Sequence, residues 1–342
     1  MTKPDDYLWD RSGPADPDVA RLEGLLAPLA YDAPLDETRV RRGRGRGLWL
    51  AAGAVVAAAA VALLVLRWPS GGGAREGAYA CAAGAPGFAF TARGGSVACG
   101  GERVPAGVLP VGGVLDTGAH QAELAIANIG RAELGVETRV RLDRTGPERH
   151  QLFLERGRMH ARVSAPPRIF AVGTPGAHVT DLGCEYTLEI DEAGAGSIVV
   201  VSGKVELESG TGGVVVVPHG ARARLLAGRR AGLPLMAGAN PALVAAARDH
   251  DEGVPGALPR VLAAATEEDA ITVASLARIA PPPTRRAVLE RLDQIFPVPA
   301  AHTLAEALAE PAVLDAWIAQ IIDLAMVRAA LPWSRPSKYQ EH

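Results

Sequence analysis

The sequence contains one uninterrupted apolar run, residues 48–66, which has no charged residue and no proline. A helix of about 20 such residues is long enough to cross the hydrocarbon core of a bilayer. An excess of arginine marks the cytoplasmic side of such a helix. The sequence therefore predicts a transmembrane helix over residues 47–67, with residues 1–46 in the cytoplasm. The arginines that precede the run are Arg39, Arg41, Arg42, Arg44 and Arg46.

Two other interpretations of the apolar run are less consistent with its surroundings. A cleaved signal peptide usually has an apolar region of about 7–15 residues close behind a short basic start, whereas this run follows a long leader with helix signals of its own. A buried helix of a soluble protein would not need the adjacent arginine cluster. We therefore expect a single-pass membrane protein, with most of the chain on the side of the membrane opposite the cytoplasm.

The composition limits the kind of core and the kind of partner. Hydrophobic residues make up 48% of the chain but aromatic residues only 4%, so the core must consist mainly of Val, Leu, Ile and Ala. The formal net charge is −3, which provides no overall basic field to attract nucleic acid. Direct binding of nucleic acid is therefore not expected.

The segment before the apolar run has its own helix start at residues 16–18, where Asp can cap and Pro suits the first helical position. The following helix is too short to be stable alone, so its apolar stripe needs a partner. We expect it to bind a cytoplasmic protein, with packing on the segment itself or on a second copy as the alternative. The predicted contact residues are Leu8, Trp9, Leu22, Leu25 and Leu26.

After a flexible linker over residues 68–76, the hydrophobic period becomes two. In residues 136–142 the even-numbered side chains are predicted to face a core, and residues 214–217 form a continuous apolar run that predicts a strand covered on both faces. Short strands separated by turn glycines predict a mainly β domain over residues 77–236, with antiparallel strands in a sandwich, barrel or solenoid. The alternation recurs at residues 152–154, 159–163, 186–190 and 205–207.

Several segments of this β region resemble one family in order and spacing. Residues 170–179 have the sequence FAVGTPGAHV, and residues 181–188 follow with DLGCEYTL. Residues 197–207, SIVVVSGKVEL, contain two apolar stretches around Gly203, and a Pro-His-Gly turn comes after them. The series resembles the FecR family, including its hairpin of the V-x-x-G-x-V type at Gly203. The G-C-x-Y sequence is similar to the variant in myxobacterial-type relatives.

The resemblance implies a function in signalling. FecR-like proteins combine a short cytoplasmic segment, one span and an external β domain, and they regulate sigma factors of the anti-sigma type. By resemblance, this chain would lie in the bacterial inner membrane with most of the chain in the periplasm. It would relay a signal from a periplasmic or outer-membrane protein to a cytoplasmic sigma factor and so regulate transcription. Trp9 is the nearest match to the tryptophan of the family's cytoplasmic segment. The alternative is a membrane-anchored envelope binding or scaffold module with no sigma-factor role.

All three cysteines follow the apolar run. In an oxidising compartment Cys81 and Cys99 could form a disulfide, which leaves Cys184 in an apolar strand region as a small buried side chain. Three unpaired thiols are the alternative.

Residues 240–342 change to a helical period. A capping-box-like start is predicted at residues 266–269, and a last helix is predicted to begin near Pro311. The apolar stripes are expected to pack together as a bundle or against the β domain, and a docking groove for another protein is the alternative.

The sequence shows no catalytic or cofactor-binding motif and no metal-ligand spacing. His160 and His178 are scattered on predicted strands. Residues 249–252, DHDE, could contact calcium but are predicted to be a solvated loop. We therefore expect a protein that is not an enzyme and has no cofactor.

Overall fold

A computed structural model of the protein describes Cys81 and residues 86–210, 213–228 and 231–330. Short strands fill the first part of these ranges, and each is bounded by a turn, often at a glycine. The strands are β1 Gly87–Arg93, β2 Val97–Cys99, β3 Glu102–Val104, β4 Ala106–Pro110, β5 Val114–Asp116, β6 Gln121–Ile126, β7 Gly130–Leu134, β8 Arg139–Arg144, β9 His150–Val163, β10 Phe170–Gly173, β11 His178–Asp181, β12 Glu185–Ile190, β13 Gly196–Ser202, β14 Lys204–Glu208, β15 Val214–Pro218, β16 Ala221–Leu225 and β17 Leu235–Met236.

Helices fill the second part, and their starts follow from local sequence. Asn240 accepts a hydrogen bond from the amide of Leu243 at 2.8 Å and so caps the first helix. Asp269 accepts one from the amide of Thr266 at 3.0 Å, as the predicted capping box requires. The helices are α1 Pro241–Asp251, α2 Ala257–Ala264, α3 Ala270–Ile279, α4 Pro282–Ile295, α5 Leu304–Ala309 and α6 Pro311–Ala330, with a 3₁₀ turn at Glu267–Asp269 before α3.

The strands form two sheets that pack face to face as a β-sandwich. All the described pairings are antiparallel except that between β9 and β10, which is parallel. The inner faces of both sheets contribute to one hydrophobic core. The strand order in the first sheet is β4-β1-β6-β7-β9-β12-β13-β16-β17, and in the second it is β3-β2-β5-β8-β9-β10-β11-β14-β15.

Strand β9 belongs to both sheets because it bends at Gly157. Its first half pairs with β8 and β10, and its second half pairs with β7 and β12. Gly157 has a φ of +95°, a conformation that favours glycine. The bend changes which residues face the core, from Leu152 and Leu154 to Met159 and Ala161.

The predicted alternation is confirmed over most of the sandwich. Thr138, Val140 and Leu142 are fully buried, as are Leu152, Leu154, Met159, Ala161, Tyr186, Leu188, Val205 and Leu207. The prediction is wrong for Val136, which is 51% exposed. This residue precedes β8, and the positive φ of Glu137 makes a turn there instead of an extended strand.

The hairpin expected around Gly203 is also wrong. Strand β13 pairs with β12 and β16 in the first sheet, while β14 pairs with β11 and β15 in the second. The chain therefore passes from one sheet to the other at Gly203. Alternation predicts which side chains face a core, but it does not identify the strand's partner.

The helices pack together and also against the sandwich, so both arrangements predicted for them occur. Helix α3 is the central element, because every residue from 270 to 277 is buried. On β15, Val215 and Val217 face the sandwich core, while Val216 belongs to the helical core. The predicted strand with two covered faces is thus confirmed. Trp317 on α6 is fully buried in the helical core.

Within the described ranges, no helix is long and apolar enough to cross a membrane. The predicted membrane span at residues 47–67 lies outside these ranges and stays a prediction.

Candidate functional site

A groove of about 1040 Å³ lies where the sandwich meets the helices. One wall is the outward face of β13, where Val199 and Val201 are each 44% exposed. The opposite wall is α6, which contributes Leu324 and Ala325. Phe296, just after α4, adds an aromatic side chain. Most of the groove surface is therefore apolar, although it is open to solvent.

One rim of the groove is acidic. Glu267 forms an ion pair with Arg328 of α6 at 2.7 Å, and both side chains are largely exposed. Asp269 is held in the capping box by Thr266. Glu268 has no basic partner among the described residues. Two exposed carboxylates, those of Glu267 and Glu268, and the buried Asp269 thus line this rim beside one guanidinium, so the rim has an excess of negative charge.

His219 connects the sandwich to the end of α6 at the side of the groove. Its Nε2 donates a hydrogen bond to the carbonyl oxygen of Ala329 at 3.2 Å. Its Nδ1 is buried and has no hydrogen-bond partner within the described ranges. The imidazole therefore fixes the last turn of α6 against the turn between β15 and β16.

The structure joins Cys81 to Cys99 by a disulfide, with the two Cα atoms 5.9 Å apart. Cys99 is buried at the end of β2, so the bond ties the start of the described chain to the second sheet. Cys184 is a buried free thiol. Its thiol donates a hydrogen bond to Asp181 at 2.8 Å, and burial raises the pKa of Cys184. A thiol with a raised pKa is a poor nucleophile, so this residue is better suited to packing than to reaction.

The two histidines singled out in the sequence have structural partners. His160 lies on β9 within hydrogen-bond distance of Thr187 and Glu185, each at 3.0 Å. His178 lies on β11 near Arg149, and burial lowers the pKa of this histidine. Among the described residues, no group of three His, Cys, Asp or Glu side chains could hold a metal ion.

The loop predicted at residues 249–252 is instead the end of α1. Asp249 forms an ion pair with Arg260 at 2.8 Å, and Glu252 pairs with Arg224 at 3.0 Å. The side chain of Asp251 is only 4% exposed and accepts a hydrogen bond from the amide of Leu233. These carboxylates therefore bind the end of α1 to neighbouring parts of the chain. The prediction of a solvated loop is wrong.

The predicted contact residues of the N-terminal segment, Leu8, Trp9, Leu22, Leu25 and Leu26, lie outside the described residues, and their role stays a prediction. The groove was not located by sequence reasoning. Its walls come from β13, α6 and the 3₁₀ turn, which are far apart in the chain. The outward-facing valines of β13 are the signal that could have been noticed, since an outward strand face is usually polar.

Comparison with known proteins finds a family model that matches part of the chain. The family model described as FecR protein matches residues 114–206. No curated protein matches the chain. Among solved structures, the chain is similar to two crystal structures of a candidate anti-sigma factor from Parabacteroides distasonis.

The likeness to these structures is partial. The first is 16% identical with a TM-score of 0.32, over 39% of this chain and 63% of that chain. The second is 19% identical with a TM-score of 0.28, over 34% of this chain and 55% of that chain. The family match itself begins at β5 and ends within β14, and it includes the bent strand that joins the two sheets. The match to the FecR family model therefore lies in the central part of the β-sandwich.

Proposed function

We propose that the protein is a single-pass inner-membrane regulator that relays a signal from outside the cytoplasm to a cytoplasmic sigma factor. The observation that carries the proposal is the FecR-family match at residues 114–206. The arginine cluster and apolar run that precede this domain in the sequence support an anchored protein with a cytoplasmic N-terminus. The described part of the chain contributes the external domain.

The cytoplasmic contact is assigned to residues 1–46. Leu8 and Trp9, together with the stripe that contains Leu22, provide an apolar surface on a segment too short to bury it alone. Exposed apolar clusters of this kind commonly bind proteins, and tryptophan is a frequent hot-spot residue. The external signal would be a periplasmic or outer-membrane protein that contacts the domain built by β1–β17 and α1–α6.

The test is co-purification of a sigma factor with the full-length chain from native membranes. Trp9→Ala should weaken the complex by about 2 kcal/mol or more. Leu22→Asp should abolish it, because a carboxylate would be buried without a partner. Ala20→Asp is the matched control, since it adds the same charge on the other side of the predicted helix. Neither contact variant should alter the protease resistance of the external domain.

If both contact variants retain the sigma factor undiminished, or if the wild type captures none, the sigma-factor role is wrong. The alternative would then be a membrane-anchored envelope binding or scaffold module, for which the N-terminal segment is only an anchor.

A further inference from the structure

We propose that the groove between β13 and α6 is the binding site for the chain's own segment 331–342. In the described ranges the apolar groove is open to solvent, and its α6 wall ends at Ala330, at the point where this segment begins. The inference does not depend on the proposed function, because no sigma factor enters its argument or its test.

The first argument is the position at which the chain leaves α6. Leu324 and Arg328 both line the groove and lie on one side of the helix, so the helix ends with its groove face directed at β13. The next residues are Leu331 and Pro332. Proline disfavours a helical conformation in the residue before it, so α6 is not expected to continue through Leu331. The segment therefore starts beside the groove.

The second argument is apolar complementarity. The exposed valines of β13 and the side chain of Phe296 present apolar surface to solvent. Segment 331–342 begins with Leu-Pro-Trp, and Trp333 alone can bury about 150–250 Å². An extended chain advances about 3.3 Å per residue, so Trp333 can lie about 10 Å from the end of α6. The ring can therefore lie near the part of the groove that Arg328 and Ala329 line.

The third argument is charge. The groove rim has three carboxylates and one guanidinium, and Glu268 has no basic partner in the described part of the chain. The segment contains Arg335 and Lys338, against the single acidic residue Glu341. Arg335 follows Trp333 by two residues, about 7 Å in an extended chain. This order of residues lets the guanidinium approach the acidic rim while the tryptophan ring contacts an apolar wall.

The covalent link favours this occupant over a separate peptide of the same composition. A short linker gives an effective concentration in the millimolar range, so even weak contacts can keep the segment bound. Pro332 and Pro336 restrict the free segment towards extended conformations, and this lowers the entropy lost on binding. A partner in solution would have to displace it.

Disulfide cross-linking in the full-length chain tests the contact directly. The variant Val201→Cys with Ser334→Cys keeps Trp333 and should form an intramolecular disulfide under mild oxidation, detected by mass spectrometry of unreduced peptides. The matched control pairs Ser334→Cys with Val136→Cys, because Val136 is 51% exposed and does not line the groove. The groove pair should cross-link at least tenfold faster. Equal rates, or a disulfide between two copies of the chain, would overturn the proposal.

A second measurement uses a synthetic peptide of residues 331–342 and does not depend on cysteine geometry. Full-length Trp333→Ala should bind the peptide at least tenfold more tightly than the wild type, whose own segment competes for the groove. Adding Val201→Glu to the Trp333→Ala chain should remove this binding, because it places a carboxylate against the ring. Equal affinity for wild type and Trp333→Ala, or no binding to either chain, would overturn the proposal.

Discussion

Gly203 is the residue at which the chain passes between the two sheets. Its φ of +71° lies in the left-handed region, where a side chain costs about 1–2 kcal/mol. An added Cβ would also collide with the carbonyl oxygen of Gly183 and lie 2.9 Å from the Cβ of Cys184. The carbonyl belongs to the backbone and cannot move aside cheaply. The passage between the sheets therefore requires glycine for two independent reasons.

Gly203→Ala should lower the free energy of unfolding by about 3 kcal/mol or more, from strain and overlap together. The control is Gly228→Ala, because Gly228 has a nearly equal φ of +68° and nothing within 4 Å of the added Cβ. The control should cost only about 1 kcal/mol. Urea unfolding of both variants measures the difference. Equal losses would show that overlap at Gly203 is unimportant.

Asp181 is a buried carboxylate, only 2% exposed, and no basic side chain pairs with it within the described ranges. It accepts hydrogen bonds from the amide of Gly183 at 2.6 Å and from the thiol of Cys184. Burial raises the pKa of Asp181 despite these hydrogen bonds, because the charged form loses its hydration. Nearby Tyr186 is fully buried, and its hydroxyl has no partner among the described residues.

This raised pKa predicts a pH dependence of stability. The folded state binds a proton at Asp181 at a higher pH than the unfolded state, whose pKa is about 3.9. The stability contributed by protonated Asp181 therefore increases as pH falls through the folded-state pKa. The same contribution is lost as pH rises through that pKa. Burial lowers the pKa of His150 and His178, so these residues act in the opposite direction.

The difference in unfolding free energy between wild type and Asp181→Asn isolates Asp181, because both proteins contain the two histidines. As pH falls from about 7 to about 4, the unfolding free energy of the wild type should increase relative to that of Asp181→Asn. Urea midpoints across this range measure it. A difference that does not change with pH would contradict the raised pKa.

The disulfide predicts which of the three cysteines can react with a thiol reagent. Thiol labelling of the denatured, unreduced protein should modify only Cys184. Cys81 and Cys99 are separated by 18 positions, and a bond that closes a loop of this size should contribute about 3 kcal/mol in the chain-entropy model. The double variant Cys81→Ala with Cys99→Ala measures that contribution. Three labelled thiols in the wild type would refute the pairing.

Among the elements, β15 connects the two hydrophobic cores. It is an edge strand of the second sheet, paired to β14, and an exposed edge strand with this run of valines would promote aggregation. Its outward side chain Val216 is instead only 8% exposed and belongs to the helical core. The helices thus cover the apolar outer face of this edge strand.

Val216→Asp should loosen the helices without unfolding the sandwich. It would bury an unpaired carboxylate in the helical core, at a cost of about 3 kcal/mol or more. Hydrogen exchange in α3 and α6 should therefore become at least tenfold faster, while β8 and β12 keep their protection. Val136→Asp is the control, since that valine is exposed on the sandwich. Equal loss of protection in strands and helices would show that the two parts unfold together.

At the scale of the elements, the sequence predicts buried positions and helix caps, but it does not predict strand partners. The period of two predicted which residues of β9, β12 and β14 are buried, because that signal is local. The capping box at residues 266–269 was predicted for the same reason. Strand partners were not predictable, and β13 and β14 were wrongly joined as a hairpin. The groove needs contacts between residues more than 100 positions apart, such as His219 and Ala329, which no local pattern reports.

At the scale of the whole molecule, the proposed function requires the N-terminus and the β-sandwich to lie on opposite sides of a membrane. The physical basis is the asymmetry of charge around residues 48–66. Five arginines lie within the ten residues before the run, and positive residues near a span are retained in the cytoplasm. The free energy favours insertion, since each Leu or Val contributes about −0.3 to −0.6 kcal/mol.

Reporter fusions test this orientation. A reporter active only in the periplasm should be active when inserted after residue 80 of the full-length chain and inactive when inserted after residue 3. Replacing the arginines of the cluster with glutamine should reduce this difference, because it removes the charge asymmetry but leaves the apolar run intact. Replacing Arg131 and Arg141, which lie in the sandwich far from the run, is the control and should leave the orientation unchanged. Activity at residue 3 alone would reverse the orientation, and the N-terminal segment could then not reach a cytoplasmic sigma factor.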